Sequence, residues 1–188
     1  TEKKPKKVFI DGPISPDFVA KSIASHSTKK DIGAHSIFLG QVRNDMIDGK
    51  PVAAIEYTTY PEMADLKFHE IREAAFEAYP LTCLHIYHSL GTVLAGEISL
   101  FVFTSAIHRA EAIKACEYIV ERIKHEIPVW GKEILEDGSG SWKVNQSKTS
   151  DTRLADARPF SKMPDARLAD ARLFTEMPDA RLADARRI

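Results

Sequence analysis

Residues 98–125 read ISLFVFTSAIHRAEAIKACEYIVERIKH, an apolar run that passes into an amphipathic repeat. The run over residues 98–104 predicts a central strand, because a strand that is apolar on both faces must be covered on both. In the second part a set of apolar residues recurs at steps of three and four and is expected to face inward: Ile113, Cys116, Ile119, Val120 and Ile123. This spacing predicts a helix over residues 109–125.

The segments on either side continue this mixture of strands and helices. Ser15 as N-cap and Pro16 at the first helical position predict the start of a helix. We predict strands over residues 35–40, 52–59 and 81–88, a helix over 61–78 and a hairpin formed by 129–135 and 141–145. The buried stripe of the 61–78 helix is expected to contain Met63, Leu66, Ile71, Ala74 and Ala75. Because strands and helices do not alternate strictly, the fold class is α+β with a largely antiparallel sheet.

Composition excludes several classes of protein. The chain has 188 residues, with 26 Lys and Arg against 27 Asp and Glu, so non-specific nucleic-acid binding is not expected. No apolar run approaches the ~20 residues that span a bilayer, so no membrane partner is expected either. The basic residues 1–7 lack the apolar segment that follows in a signal peptide, and we therefore expect a cytoplasmic protein.

The cysteine and histidine spacing predicts no metal site, and the chain has no G-x-G-x-x-G or G-x-x-x-x-G-K-[ST] motif, so no cofactor is expected. Cys83 and Cys116 are far apart and form no C-x-x-C pair, so we expect two buried thiols in a reducing compartment. His85 and His88 are three residues apart on a predicted strand, where they would point to opposite faces.

A repeat marks the end of the chain. Arg-Leu-Ala-Asp-Ala-Arg occurs at 153–158, 167–172 and 181–186, a period of 14 residues. Each unit has few apolar side chains and a proline, and its helical part is shorter than the ~12 residues an isolated helix needs. We therefore predict a basic N-terminal extension (1–7), a folded domain (8–148) and a poorly ordered tail (149–188). A docking role for the tail remains an alternative.

Basic residues are placed at the ends of predicted elements. Arg43 follows the predicted strand over residues 35–40, and His108 and Arg109 lie between the central strand and the helix over 109–125. Lys124 lies near the end of that helix, and Lys132 lies beyond it. Strand ends and helix starts commonly gather ligand-binding groups, and such cations favour an anion. Each of them alone is also compatible with an ordinary surface charge.

The motifs around these cations resemble the large, catalytic subunit of molybdopterin synthase. Phe38-Leu39-Gly40-Gln41-Val42-Arg43-Asn44 resembles the F-x-G-x-V-R-N motif of that family. Further segments resemble family motifs in the same order along the chain: 60–63 (YPEM), 88–91 (HSLG), 96–97 (GE), 104–109 (TSAIHR), and Lys124 followed by 128–133 (PVWGKE). The resemblance covers about residues 8–146 and leaves the repeat tail without a counterpart.

The resemblance implies an α/β hammerhead fold with an additional antiparallel β portion, and a sulfur-transfer activity. The substrate would be cyclic pyranopterin monophosphate, converted to molybdopterin. Sulfur would come from the C-terminal thiocarboxylate of a small ubiquitin-like subunit. Large subunits would form a homodimer within a heterotetramer, and no cysteine of this chain would need to act.

The resemblance also implies a set of site residues. Those expected to bind substrate are Gln41, Val42, Arg43, His108, Arg109, Lys124, Gly131, Lys132 and Glu133, with Lys124 and Lys132 as the catalytic lysines. The chain departs from the family pattern in two places: Ile107 lengthens the S-A-H-R motif by one residue, and Gly131 stands where the family often has its second lysine. Lys132 would supply that ammonium by a one-residue shift, although such a shift on a strand turns a side chain to the other face.

Two other functions remain open at this point. The same cations would suit a non-catalytic module that binds phosphate or a nucleotide. The repeat tail would alternatively be the working part of an interaction scaffold.

Overall fold

The computed structural model describes residues 7–142 and contains three helices and eight strands. In chain order the elements are β1 (Phe9–Asp11), α1 (Pro16–Ala24), β2 (Ala34–Gln41), β3 (Met46–Ile47), β4 (Lys50–Thr59), α2 (Pro61–Ala78), β5 (Leu81–Leu94), β6 (Ile98–Ala106), α3 (Arg109–Glu126), β7 (Val129–Leu135) and β8 (Gly140–Trp142). The repeat tail expected over 149–188, and most of the N-terminal extension, lie outside the described residues.

The strands form a largely antiparallel sheet. Its order is β2-β6-β5-β4-β7-β8, with β3 paired to β4 and β1 paired to β5. The β1–β5 pairing is parallel, and the other ladders between these strands are antiparallel. The predicted α+β class and the predicted C-terminal hairpin are therefore confirmed.

Both faces of β6 are covered, which explains its apolar sequence. Leu100 and Val102 pack on one face with residues of α2 and α3, including Ile119. Phe101 and Phe103 pack on the other face in the cluster that contains α1. Burial of such side chains is the main stabilising contribution to the fold, at about 1.5–3 kcal/mol for each large one.

The helix ends follow the capping signals in the sequence. The Ser15 side chain accepts a hydrogen bond of 3.2 Å from the backbone N–H of Phe18, and Pro16 opens α1. Pro61 opens α2, which ends at Ala78 as predicted. No helix among residues 7–142 combines the length and hydropathy that crossing a bilayer requires.

Three predicted core positions are wrong. Met63 and Leu66 of α2 are exposed, and the buried stripe instead contains Ala64 and Phe68 together with Ile71 and Ala75. Ile113 of α3 is likewise exposed. The face of α2 that includes Phe68 packs toward the sheet, whereas the face that includes Met63 and Leu66 points outward.

Candidate active site

A cleft of about 400 Å³ lies where α3 ends and β7 begins. The last turn of α3 contributes Lys124, β7 contributes Gly131, and the neighbouring strands β4 and β5 contribute Tyr57 and His88. Pro128 separates the helix from β7 and lies in the same wall. His125 also lines it, so the cleft combines one lysine ammonium with two imidazoles and a phenol.

His88 is a buried, neutral imidazole in this cleft. Its Nδ1 lies 2.8 Å from the backbone oxygen of Ser89. Because a carbonyl only accepts, Nδ1 donates its hydrogen and Nε2 is left with a lone pair. The pKa of His88 is lowered to about 4, mainly by burial; the Ser89 hydrogen bond opposes this shift and the positive charge of Lys124 adds to it. His88 is therefore uncharged at neutral pH.

Tyr57 packs edge-on against His88 and connects the cleft to β2. The two ring centroids are 5.2 Å apart. The Tyr57 hydroxyl donates to Ser99 Oγ at 3.3 Å, and the Ser99 hydroxyl donates to the backbone oxygen of Gly40 at 3.3 Å. Burial raises the pKa of Tyr57, the Ser99 hydrogen bond opposes this, and the charge of Glu133 adds to it. The phenol therefore stays protonated.

Lys124 is the cation that this arrangement places in the cleft. It lies in the last turn of α3, where a positive charge also complements the helix dipole. Beside a neutral imidazole and a protonated phenol, its ammonium can bind an anion or stabilise negative charge that develops on a reacting group. It can also give a proton to a leaving group.

Gly131 and Lys132 lie on opposite faces of β7. Gly131 pairs with Tyr57, and Lys132 pairs with Glu56 on β4 and Trp142 on β8. The Lys132 side chain runs along β8, where a Cβ at Gly140 would lie 2.7 Å from its Cε. The one-residue shift therefore does not bring the Lys132 ammonium into the cleft of its own chain.

A side chain at position 131 would press on the buried side chain of Ile55 beside Tyr57. A Cβ there would lie 2.9 Å from Cγ2 of Ile55 and 3.5 Å from the Tyr57 ring. Glu133, two residues further on, shares the face of Gly131, because it pairs with Ile55. Of the expected site residues on β7, Gly131 and Glu133 thus share the face of Tyr57, whereas Lys132 lies on the other.

The residues of the 38–44 motif have different environments. Val42 is buried in a core cluster with Val52 and Val93, so its side chain packs and is not available to a ligand. Arg43 is exposed and forms an ion pair of 2.7 Å with Asp45. Gln41 is also exposed at the end of β2.

His108 and Arg109 lie at the other end of α3 from the cleft. His108 is the N-cap and Arg109 the first residue of the helix. Lys124 follows Arg109 by 15 residues in the same helix, which corresponds to about 22 Å along the axis. One chain therefore brings Lys124, His88 and Tyr57 together but does not bring His108 or Arg109 to them.

The sequence alone does not mark His88 and Tyr57 as site residues. His88 does occur in the 88–91 motif, and Tyr57 has an alternating pattern of neighbours that predicts only a strand. Their meeting depends on the register of β4, β5 and β7, which the sequence pattern does not show.

The model of the MoaE protein family matches residues 11–126. The chain belongs to this family. The matched range includes His88 and Lys124 and ends before Gly131.

Related MoaE proteins are described as molybdopterin synthase catalytic subunits. The one from Emericella nidulans is 36% identical over 141 residues, which is 75% of this chain and 70% of the relative. The one from Thermoplasma volcanium is 39% identical over 114 residues, 61% of this chain and 82% of the relative. The one from Bos taurus is 33% identical over 147 residues, 77% of this chain and 75% of the relative.

Solved structures agree with the family assignment. Molybdopterin synthase from Staphylococcus aureus superimposes with a TM-score of 0.64 at 31% identity, over 73% of this chain and 96% of that one. A chain from the complex of subunits 1 and 2 of molybdopterin-converting factor from Helicobacter pylori gives a TM-score of 0.61 at 22% identity, over 75% and 90% of the two chains. The second likeness shows the fold alone.

Proposed function

We propose that this chain is the catalytic subunit of a molybdopterin synthase, a sulfurtransferase of molybdenum cofactor biosynthesis. The observation that carries the proposal is the placement of Lys124 beside neutral His88, in a chain of the MoaE protein family. The substrate would be cyclic pyranopterin monophosphate. Sulfur would arrive on the C-terminal thiocarboxylate of a small ubiquitin-like partner subunit.

The chemistry of the cleft suits this reaction. The substrate phosphate and the incoming thiocarboxylate are both anions, which an ammonium attracts. Lys124 would stabilise the charge that develops as sulfur attacks the pterin, or pass a proton to the group that leaves. His88 adds no charge of its own and offers a lone pair on Nε2, which suits a residue that orients the ammonium or a bound hydroxyl.

A second copy of the chain would supply the missing cations. His108 and Arg109 are exposed, and among residues 7–142 neither of them forms an ion pair with a carboxylate. They are too far from Lys124 to share its cleft within one chain. We propose that they face the cleft of a partner subunit in a homodimer, with a small subunit on each large one. Arg43 is held by Asp45 through one Nη, and its other N–H groups would be able to contact substrate.

The proposed compartment is the cytoplasm. Cys83 and Cys116 are both free thiols, which suits a reducing environment. We also propose that residues 8–148 form the catalytic domain and that the repeat tail is accessory.

A non-catalytic phosphate-binding or nucleotide-binding module is the second candidate. The observation that favours it is the absence of a side chain at Gly131, together with the position of Lys132 on the opposite face of β7. Such a module would bind the anion at Lys124 without turning over a thiocarboxylated partner.

A reconstituted assay tests the two functions. The full chain is mixed with thiocarboxylated small subunit and cyclic pyranopterin monophosphate, and molybdopterin is measured. We expect the wild type to make product and Lys124→Ala to fold normally but lose at least about 100-fold in kcat, because general acid–base and charge-stabilising groups contribute on that scale.

Two further variants serve as comparisons in the same assay. Lys114→Ala removes an exposed lysine of the same helix and should leave turnover unchanged. Lys132→Ala should cost far less than Lys124→Ala, because its ammonium lies outside the cleft. Normal turnover by Lys124→Ala would contradict its role, and a folded wild type that binds phosphate but makes no product would favour the binding module.

A further inference from the structure

Three potential metal ligands meet on the face of the sheet that α1 covers. Cys83 and His85 are two residues apart on β5, so their side chains share that face. His26 follows the end of α1 and reaches the same point. Nε2 of His26 lies 3.1 Å from Sγ of Cys83, Sγ lies 3.0 Å from Nε2 of His85, and the two Nε2 atoms are 3.2 Å apart.

A backbone carbonyl orients His26 for coordination. Its Nδ1 lies 2.7 Å from the carbonyl oxygen of Ser22, so Nδ1 donates its hydrogen there. In the neutral imidazole Nε2 then has a lone pair that points at Cys83 and His85. Metal-binding histidines commonly use their second nitrogen in this way, to fix the tautomer and the ring.

Hydrogen bonds alone do not satisfy the three contacts. When the His26 imidazole is neutral, its Nε2 has no hydrogen, because Nδ1 holds it; the Cys83 thiol has one, and Nε2 of His85 has at most one. Two hydrogens satisfy at most two of the three short contacts at a time. A single cation bound to the lone pairs of all three atoms satisfies them together.

The spacing fits a tripod with an open fourth position. A circle through three atoms 3.0 to 3.2 Å apart has a radius of about 1.8 Å, less than the ~2.0–2.1 Å of a Zn–N bond and the ~2.3 Å of a Zn–S bond. The ion would therefore lie to one side of the plane of the ligands. Two imidazoles and one thiolate are the borderline and soft donors that Zn²⁺ prefers.

The surroundings are dry on one side and accessible on the other. The Phe103 ring packs against both histidines, at centroid distances of 4.8 Å from His26 and 5.9 Å from His85. His26 is only 4% exposed, whereas Cys83 and His85 are half-buried. An ion can thus reach the ligands from solvent while the apolar side strengthens its interaction with them.

We propose that His26, Cys83 and His85 bind one Zn²⁺ ion per chain, with water in the fourth position. The ion would tie the end of α1 to β5. Odd and even positions of β5 face opposite sides of the sheet, so this site is separate from the cleft that contains His88. The proposal therefore does not depend on the sulfur-transfer function.

Metal titration of the purified full chain tests the proposal. The chain is stripped with a chelator, and Zn²⁺ binding is measured by competition with a chromophoric chelator. Co²⁺ then serves as a spectroscopic probe, since a bound thiolate gives a charge-transfer band in the near ultraviolet. We expect one ion per chain, loss of the band in Cys83→Ser and at least a 100-fold weaker Zn²⁺ affinity in His26→Ala.

Matched variants and a measurement on the wild type complete the experiment. Cys116→Ser and His69→Ala change a thiol and an exposed histidine elsewhere and should bind as the wild type does. If His26→Ala does not fold, protection of Cys83 from alkylation by Zn²⁺ in the wild type gives the answer. A folded wild type that binds no ion, or variants at Cys83 and His26 that bind as well as the wild type, would overturn the proposal.

Discussion

Lowering the pH should destabilise the fold through His88, because its imidazole stays neutral in the cleft while the same side chain in the unfolded chain takes up a proton. Burial lowers the pKa of the folded-state group to about 4, from the ordinary value of 6.5. Between these two values the unfolded state binds more protons than the native state, so stability rises with pH across this window. The contribution is complete above pH 6.5 and is lost as the pH falls toward 4.

The size of the effect follows from the two pKa values. A difference from 6.5 to about 4 corresponds to a total of roughly 3 kcal/mol. Between pH 7 and pH 5 the loss is about 2 kcal/mol, since only part of the titration is then complete. This is a large share of the 5–15 kcal/mol that typically holds a domain folded.

Urea unfolding at several pH values measures this loss. We compare the wild type with His88→Gln, which cannot titrate but can still donate a hydrogen bond to the Ser89 carbonyl. Burial, and the charge that His26 has when it is protonated, lower the pKa of His35 as well, and the contribution of His35 is common to both proteins and cancels in the comparison. The free energy of unfolding of the wild type, taken relative to that of His88→Gln, should decrease by about 2 kcal/mol from pH 7 to pH 5. Parallel pH profiles for the two proteins would refute a neutral, buried His88.

Three other changes test the geometry. Gly131→Lys should lower the free energy of unfolding in urea by about 1–3 kcal/mol, because its Cβ presses on Ile55. Its turnover should nevertheless exceed that of Gly131→Ala, and equal turnover of the two variants would argue against a use for a second ammonium. Gly33→Ala should destabilise by a comparable ~1–3 kcal/mol, because a Cβ would overlap the carbonyl oxygen of Ile107, and a melting temperature equal to that of the wild type would contradict this contact. Deletion of residues 149–188 should leave turnover intact, whereas loss of product by a folded truncated chain would make the tail part of the enzyme.

The sequence predicts the fold well where one pattern dominates. The apolar run of β6 has a single structural solution, four of the five positions that the spacing of α3 turns inward are buried, and Pro61 sets the start of α2. It predicts less well where two apolar stripes compete. In α2 the side chains of Met63 and Leu66 are as hydrophobic as those that are buried, and only the packing of Phe68 against the sheet decides between the stripes.

The site is only partly predictable from the sequence, because it depends on the register of the strands and on the length of α3. Lys124 is found from the family motif, but Tyr57 and His88 become neighbours only through the pairing of three strands. The separation of Arg109 from Lys124 was already implied by the predicted helix, since residues at its two ends cannot share one pocket. His26 and Cys83 are 57 residues apart in sequence, and no local pattern predicts that they meet.

β5 carries Cys83 and His85 on one side and His88 on the other, and it pairs with β4, β6 and β1. Inserting or deleting a single amino acid at the start of β5, before Cys83, would therefore invert all three side chains at once. The imidazole of the cleft would move under α1, and the thiol would move under α3. Length changes should thus be tolerated far less in this strand than in the loops around it.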